Sequence, residues 1–341
     1  MKRVFGTAAV VASLLALPAA AQQTFTLKFA NFAPEGSSVS RILKAYVAEW
    51  KQKSNGRLNL EVFYGSSMGP MPRHFDLART GVADFSFYQH GATPGRFPLT
   101  ELTHMPYLWP EGAKGSRVGA QVATELYKEY LAREHTDVYN LYVVFNRPSG
   151  IYDSNRPIKA LADLKNRRYR APTTTDVALF KELGAIPLGV PATGMAEALQ
   201  KGTLDGVVTD EMGVFAFKLG DLVKNYTPMF TSAISFGVAM NKDSYNKLPA
   251  DLRAIIDAEA TVAGALRFSE LSWGNVPEVE KYLYQDSKIQ VARLSPQDDA
   301  RIRQIADKII EDRIKEVEGK GLPGRAFYDK AKAASAKYAK E

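Results

Sequence analysis

The sequence predicts an α/β fold of two lobes, in which each lobe is a mainly parallel sheet flanked by helices and a long helix spans both lobes. Three observations predict this class. Apolar patterns occur twice in the order β-α-β-α-β, and such units form parallel sheets with right-handed crossovers. The chain has 341 residues, which suits two domains of ordinary size. Residues 249–286 contain few helix breakers, so a helix there would extend beyond one lobe.

The first unit starts with TFTLKFAN at residues 24–31, where alternating apolar residues predict a strand. Helical apolar spacing from Val39 to Trp50 predicts an amphipathic helix that ends near Gly56. RLNLEVFY and ADFSFY predict two further strands. Between them, PRHFDLARTG predicts a helix that ends at Gly81.

The second unit repeats this order. RRYRA, AIPLGV and LDGVVT predict strands, and TTTDVALFKELG and MAEALQKG predict the helices between them. Threonines can cap the first of these helices, and Gly184 can end it. The tail from Pro296 to Lys340 predicts two more helices, joined at the turn sequence GKGLPG. Two lobes of one topology are the simplest layout for these patterns.

The first residues form a separate unit. Lys2 and Arg3 precede an apolar run from Val4 to Leu17, and small residues follow it. This arrangement is typical of a secretory signal peptide, here residues 1–21. The apolar run is shorter than the roughly 20 residues that a spanning helix needs. We therefore expect an exported, soluble protein.

The composition excludes several kinds of site. The chain has no cysteine, so disulfides, thiolate metal sites and a cysteine nucleophile are excluded. The formal net charge is +7, but the basic residues are spread along the chain and form no stripe suited to nucleic acid. The four histidines have no metal-ligand spacing, and neither a phosphate loop nor a dinucleotide fingerprint is present. We expect neither a metal nor a cofactor.

One motif suggests an enzyme. YGSSMG, residues 64–69, fits the G-x-S-x-G pattern of a hydrolase nucleophile at Ser67. In such hydrolases the histidine follows much later in the chain, whereas no histidine here lies after residue 135. A secreted serine hydrolase that uses Ser67 therefore stays an alternative, and a plain strand-to-helix loop is the simpler interpretation.

Arg170 is the strongest candidate for binding an anion. It ends the first strand of the second unit, in the stretch LKNRRYRAP, and open parallel sheets bind their ligands outside such strand ends. The N-terminus of the following helix adds positive potential, and a guanidinium can hold a carboxylate through two parallel hydrogen bonds. A solvated strand edge is the alternative. His90 follows the third strand of the first unit, where it could line a ligand cleft or lie on the surface.

From about residue 24 to its end, the chain resembles the solute-binding subunits of tripartite ATP-independent periplasmic (TRAP) transporters. The resemblance rests on the order and spacing of six stretches: FANFAPEGS, ARTGVADFSFYQHGATPGRFPLTELTHMPYL, ALADLKNRRYRAP, ALQKGTLDGVVTD, FGVAMNKDSYNKLPADLR and GKGLPGRAFYDKAKAASAKY. It implies a periplasmic-binding-protein-like fold, whose lobes close on an organic acid by a hinge motion. It also implies a periplasmic location, docking on a TRAP-type membrane permease and no catalysis by the chain itself. We expect a monomer.

The resemblance also implies site residues. We predict lobe I at residues 22–144 plus 232–271, and lobe II at residues 145–231 plus 272–341. In the family, the arginine of the R-x-P strand pairs with the ligand carboxylate, and that arginine is Arg170 here. The further residues that we expect to line the cleft are Asn31, Phe32, Tyr88, Gln89, His90, Thr209, Asp210 and Phe236. The aromatic residues among them equally suit a hydrophobic core.

Two departures from the family pattern bear on the ligand. Sialate- and dicarboxylate-binding members usually carry a second arginine shortly before the R-x-P strand, and Arg147 is not clearly in register with it. A polar pair that follows the late DG in those members is replaced here by VVTDEM. Both departures favour a small monocarboxylate, with keto, hydroxy or aromatic substitution. A dicarboxylate stays the alternative.

Overall fold

A computed structural model describes residues 23–341, and the predicted signal peptide, residues 1–21, lies outside the described residues. The strands are β1 Phe25–Asn31, β2 Leu58–Phe63, β3 Phe85–Gln89, β4 Val138–Phe145, β5 Gly150–Asp153, β6 Arg168–Arg170, β7 Ile186–Leu188, β8 Gly206–Thr209, β9 Asn225–Thr227, β10 Ser235–Asn241 and β11 Gln290–Val291. The helices are α1 Val39–Lys53, α2 His74–Arg79, α3 Pro98–Glu101, α4 Gly112–Leu126, α5 Thr174–Glu182, α6 Met195–Gln200, α7 Glu211–Ala216, α8 Lys242–Lys247, α9 Ala250–Asp257, α10 Val262–Trp273, α11 Pro277–Glu280, α12 Pro296–Gly319 and α13 Gly324–Tyr338. Within this range, no helix combines the length and the apolar character needed to cross a membrane.

The first sheet has the strand order β2-β1-β3-β10-β4. β1 runs parallel to β2 and β3, with α1 and α2 in the crossovers, as the first predicted unit requires. β10 enters antiparallel between β3 and β4. Every residue of β3 and β10 is buried, so these two strands form the centre of this half of the molecule.

The helix α1 covers this sheet with one apolar face. Its buried residues include Ile42, Leu43, Tyr46 and Trp50, at the helical spacing that predicted the element. The Trp50 ring lies 5.5 Å from the ring of Phe85 in β3. The apolar pattern in the sequence therefore becomes the contact between helix and sheet.

The second sheet has the strand order β11-β9-β5-β8-β6-β7. β6 runs parallel to β7 and β8, with α5 and α6 in the crossovers, so the second predicted unit is confirmed as well. β5 runs antiparallel to β8 and β9. Each sheet thus combines one β-α-β-α-β unit with a strand that arrives from the other half of the molecule.

Two extended segments cross between the sheets, and we call them the crossing segments. Residues 146–149 lead from β4 in the first sheet to β5 in the second, and residues 228–234 lead from β9 back to β10. The two segments pair with each other through backbone hydrogen bonds, including Asn146 N to Ile234 O over 3.2 Å. The lobes are therefore joined by a narrow two-stranded link.

The long helix expected within residues 249–286 is instead interrupted twice. Thr261 starts a new helix, because its hydroxyl accepts a hydrogen bond from Gly264 N over 3.1 Å. Gly274 ends α10 and Pro277 starts α11. Because α10 packs against α1 and α4, whereas α11 packs against α7, this segment makes a third connection between the two halves.

The helix that lies against both halves is α12. Ile302 near its start shares an apolar cluster with Phe180 of α5, and Ile314 near its end shares another with Val122 of α4. α13 then packs against α4. The tail therefore contacts both halves, and the predicted lobe boundaries stay predictions.

Candidate ligand-binding site

The candidate site lies between the two sheets, where strands from both halves end. β1, β3, β6 and β8 end at Asn31, Gln89, Arg170 and Thr209, and the carboxyl ends of parallel strands are where such sheets bind ligands. A cavity of about 70 Å³ lies between these ends. One ordered water needs roughly 10–15 Å³, so the space is a cavity and not a packing gap.

Arg170 is buried in the wall of this cavity, with 2% of its surface exposed. Its Nε donates to Val190 O over 3.1 Å, and its Nη1 donates to Val208 O over 2.9 Å. A guanidinium carries five N–H groups. Within residues 23–341, Nη2 donates to no protein acceptor, so the backbone orients the side chain and leaves donors for a ligand.

The charge of Arg170 is held in surroundings of low polarity. Burial lowers the pKa of Arg170 to about 10, while Asp176 and Asp210 act in the opposite direction. The side chain therefore stays protonated at neutral pH. A buried cation is costly unless it is paired, so an anion in the cavity would be bound favourably.

Asp176, the first of these two carboxyls, has its own hydroxyl partners. Its Oδ2 accepts hydrogen bonds from Thr173 Oγ1 over 2.6 Å and from Ser232 Oγ over 2.7 Å. Burial raises the pKa of Asp176, and the neighbouring Arg170 opposes that rise. Asp176 therefore neutralises only part of the arginine's charge.

Asp210 lies on the cavity wall and starts α7. Its Oδ1 accepts from Gly213 N over 2.8 Å, and its Oδ2 accepts from Arg147 N over 3.2 Å. Burial, followed by the negative charge of Glu211, raises the pKa of Asp210 to about 7. The carboxyl can thus donate or accept a hydrogen bond at neutral pH.

The first-half side of the cavity is an aromatic wall, formed by Phe32, Phe87, Phe236 and Trp273. The Phe32 and Phe87 rings stack with their centroids 5.2 Å apart. Phe236 stacks 5.1 Å from Phe87 and 5.4 Å from Trp273. The ring planes of these pairs lie within 20° of one another, so the wall is an aromatic surface against which a further ring can pack.

The second half contributes mostly apolar residues from the loop after β7 and from α6 and α7. They include Ala192, Met195, Met212, Ala216 and Phe217. Methionine side chains adapt to irregular ligand shapes. Arg170 therefore faces a pocket that is apolar on most sides and polar at a few points.

Six of the nine predicted site residues line the cavity together: Phe32, Gln89, Arg170, Thr209, Asp210 and Phe236. The other three have partners in the protein. Asn31 Oδ1 accepts from Ala33 N over 3.0 Å, and Tyr88 OH donates to Asn140 Oδ1 over 3.0 Å. The Nε2 atoms of His90 and His135 lie 3.0 Å apart. The roles predicted for these residues in binding stay predictions.

The alternation of side chains along β3 explains why Gln89 lines the cavity and Tyr88 does not. Gln89 faces the cavity, so the side chain before it points to the opposite face of the sheet. There the ring of Tyr88 packs against Phe75, with their centroids 5.1 Å apart. Sequence reasoning identified the strand end but not which of its residues faces inward.

Sequence reasoning missed other lining residues, among them Asn146, Met195, Met212 and Trp273. Asn146 begins a crossing segment, and its Oδ1 accepts from Ile234 N over 2.5 Å. Trp273 ends α10. No motif marks these positions: Asn146 and Trp273 lie in connections between the lobes, and Met195 and Met212 lie in the helices α6 and α7.

A second cavity of about 240 Å³ adjoins the first and shares Gln89 and Arg170 with it. Its rim contains Pro72, Pro94, Pro172 and Pro191, which come from loops of both halves. Proline restricts the backbone, so these loops form a stiff mouth. Arg170 lies where the inner cavity meets the mouth.

The Ser67 region does not have the arrangement of a nucleophile site. Ser67 is exposed in a turn after β2. His74, the histidine that follows it most closely, bonds to Gly69 O over 3.2 Å through Nε2 and to Ser86 Oγ over 3.4 Å through Nδ1. Within residues 23–341, Ser67 Oγ hydrogen-bonds to no histidine.

Known proteins share this fold and sequence pattern. Residues 29–316 match the family model for bacterial extracellular solute-binding proteins, family 7. A solute-binding protein of Albidiferax ferrireducens is 23% identical over 304 residues, which are 84% of this chain and 86% of that relative.

Two solved structures are also similar. One is a TRAP solute-binding protein from a marine metagenome, specific for aromatic acid ligands and in complex with 3-hydroxybenzoate. It is 29% identical, with a TM-score of 0.86 over 93% of this chain and 99% of that chain. The other, from Rhodoferax ferrireducens T118, is in complex with copurified benzoate. It is 26% identical, with a TM-score of 0.86 over the same shares of the two chains.

These matches confirm both the predicted resemblance and the predicted two-lobed α/β class. The family model covers most of the chain, and both solved structures superpose on nearly all of it. The chain therefore belongs to family 7 of the bacterial extracellular solute-binding proteins, the solute-binding proteins of TRAP transporters.

Proposed function

We propose that this protein captures a small aromatic monocarboxylate in the periplasm and delivers it to a TRAP-type membrane permease. The observation that carries the proposal is the buried Arg170 guanidinium, which keeps unused donors in a cavity with an aromatic wall. The ligand anion lies between the two halves of the protein. The chain itself acts as a carrier, not as an enzyme.

The carboxylate of the ligand binds Arg170 through the Nη2 hydrogens and the second hydrogen of Nη1. Charged hydrogen bonds of this kind contribute about 1.5–3 kcal/mol each. Backbone carbonyls hold the guanidinium in position before the ligand arrives, so little side-chain freedom is lost on binding.

The ring of the ligand lies against the aromatic wall. Stacked aromatic pairs contribute about 0.5–1.5 kcal/mol beyond the burial of their area. Two similar proteins, at 29% and 26% identity, are in complex with 3-hydroxybenzoate and benzoate. Both ligands are planar aromatic carboxylates, which supports the proposed ligand class. A ring hydroxyl would have Asp210 or Thr209 as a partner.

One carboxylate suits the cavity better than two. Among the described residues that line the cavity, Arg170 is the only basic side chain and Asp210 the only acidic one. A second carboxylate would lie against apolar side chains or beside Asp210, where its charge would be unpaired. A dicarboxylate would therefore bind more weakly than the corresponding monocarboxylate.

Titration calorimetry at neutral pH tests the ligand class. We expect benzoate and 3-hydroxybenzoate to bind, cyclohexanecarboxylate to bind more weakly, and phthalate and succinate to bind weakest. Cyclohexanecarboxylate is the matched control for the aromatic wall, because it keeps the carboxylate and a six-membered ring without the planarity. Tighter binding of succinate than of benzoate would contradict the proposal.

Substitution of Arg170 tests the anchor. Removing one partner of a buried charged pair costs about 2–5 kcal/mol, so Arg170→Met is expected to weaken benzoate binding about 30-fold or more. Arg170→Lys keeps the charge but not the planar fork, so we expect it to bind weakly too. Calorimetry measures both affinities, and circular dichroism checks that the variants fold.

The control for this test is Arg168→Met, which removes an arginine from the same strand. Arg168 Nη2 donates to Asp205 Oδ1 over 2.7 Å, away from the cavity. The affinity of the Arg168→Met protein for benzoate is expected to match that of the unmodified protein. Full affinity in a folded Arg170→Met protein would refute the assignment.

A further inference from the structure

Arg147 lies in the first crossing segment and is buried, with 8% of its surface exposed. Its guanidinium donates from Nε to Trp273 O over 2.9 Å and from Nη2 to Gly274 O over 2.6 Å. These carbonyls belong to the C-terminal end of α10, where the helix dipole favours a cation. The arginine therefore binds a helix end at the point where the chain passes to the other half.

The same residue also contacts the start of α7 in the second half. Its backbone N–H donates to Asp210 Oδ2 over 3.2 Å, and its Nη1 lies 3.8 Å from Glu211 Oε2. Arg147 thus joins a crossing segment, the end of α10 and the start of α7. Two of its partners, Trp273 and Asp210, line the ligand cavity from opposite halves.

A rotation of the lobes would have to disturb this arrangement. α10 packs against α1 and α4 beside the first sheet, while α7 follows β8 of the second. When the halves separate, the end of α10 moves relative to the start of α7. The guanidinium holds the end of α10 through Nε and Nη2, while its Nη1 faces Glu211 at the start of α7. Its planar fork has a fixed geometry, so it cannot keep both sets of partners through a large rotation.

We propose that Arg147 is a positioning residue that holds the two lobes closed around the bound ligand and thereby sets how slowly the ligand leaves. This inference rests on the proposed function and extends it, because the Arg147 side chain acts through the end of α10 and Glu211 and not through the ligand's carboxylate. It also assigns a role to an arginine that the family pattern of the sequence did not explain.

The test compares dissociation rates of 3-hydroxybenzoate, measured by stopped-flow fluorescence, in the unmodified protein and in variants. Arg147→Met is expected to release the ligand about tenfold faster or more, since losing a buried charged hydrogen-bond donor acts mainly on dissociation. Arg147→Lys, which can bond only one of the two carbonyls well, is expected to lie between the two.

The matched control is Arg167→Met. Arg167 is similarly buried, and its Nη2 donates to Asp153 Oδ1 over 2.5 Å, a contact that lies wholly within the second half. This variant is expected to melt at a lower temperature while it keeps the dissociation rate of the unmodified protein. A general loss of stability is thereby separated from an effect on closure.

If Arg147→Met lowers the melting temperature as Arg167→Met does but changes dissociation less than twofold, the inference is overturned and the proposed function stands. If the unmodified protein binds no aromatic acid, the proposed function fails and the inference fails with it. Faster release of 3-hydroxybenzoate in Arg147→Met but not in Arg167→Met supports both the inference and the proposed function.

Discussion

Arg170 and Asp210 acquire their properties from their neighbours rather than from their residue types. Arg170 is held by two backbone carbonyls in the buried wall of the cavity, and within residues 23–341 its Nη2 donates to no protein acceptor. Asp210 starts a helix, yet its burial beside Glu211 raises its pKa to about 7. At the scale of single residues, the site depends on charged groups that the fold removes from water.

The raised pKa of Asp210 predicts a pH dependence of stability. Between about pH 4 and pH 7, the native carboxyl binds a proton more tightly than the unfolded one, so its contribution to the free energy of unfolding falls as pH rises. Asp210→Asn removes this titration. The free energy of unfolding of the variant minus that of the unmodified protein should therefore increase from pH 4 to pH 8.

Urea denaturation of the ligand-free protein at both pH values measures this difference. Asp210→Asn also loses hydrogen bonds, and this loss lowers the free energy of unfolding equally at both pH values. It cancels because only the change of that free energy with pH is compared. Glu61→Gln, at an exposed carboxyl of β2, serves as the control. A difference that stays level or decreases between the two pH values would show that Asp210 does not titrate in this window.

At the scale of elements, β10 shows how a strand supports the site without a motif. It lies antiparallel between β3 and β4 and carries Phe236 on the cavity wall. The next residue, Gly237, lies beneath the ring of Tyr88, whose hydroxyl reaches Asn140 of β4. The absence of a side chain at residue 237 provides the space for that ring.

Gly237→Ala is expected to destabilise the protein by about 1–3 kcal/mol or more, because overpacking a core forces side chains or backbone to move. The added Cβ would lie 2.3 Å from the Cζ atom of Tyr88. Gly319→Ala is the control, since nothing lies within 4 Å of its added Cβ and it ends a helix. Chemical denaturation compares the two, and equal stabilities would contradict the packing argument.

The interruption of the predicted helix in residues 249–286 is also a property of single elements. Composition predicted a continuous helix there, but local capping competes with helix continuation. A Cβ on Gly264 would lie 1.9 Å from Glu259 O, so the chain turns tightly just before α10. The hydroxyl of Thr261 and the tight turn together restart the helix. Capping residues inside an apolar stretch were the signal that this prediction overlooked.

At the scale of the whole molecule, three connections and the tail helices join the two halves. The crossing segments pair with each other, and Arg147 ties them to the end of α10. Cavity residues come from both halves, so an anion bound there would contact both and oppose their separation. We therefore expect ligand binding to stabilise the crossing segments that join the halves.

Hydrogen exchange should detect this coupling. In saturating benzoate, amide exchange in the crossing segments is expected to slow more than exchange at β2, on the far edge of the first sheet. Mass spectrometry of peptides that cover residues 146–149 and 228–234 measures the effect, and Arg170→Met with added benzoate is the control. Equal slowing along the whole chain would show that the ligand acts only on global unfolding.

Local sequence patterns were enough to predict the α/β class, both β-α-β-α-β units and the strand ends that meet at the cavity. These features depend on periodic apolar patterns and on capping residues, which act over a few neighbouring residues. The sequence also indicated Arg170, Gln89, Thr209 and Asp210 as cleft residues, because a strand end is a local feature.

Packing between distant elements fixes which residues of each strand end face the cavity and which connections complete its wall. Tyr88 lies on the far face of the sheet, where Gly237 leaves space for its ring, and Trp273 reaches the cavity because α10 ends there. Arg147 binds carbonyls more than a hundred residues away. Such contacts depend on how distant elements pack, and local pattern carries no information about that packing.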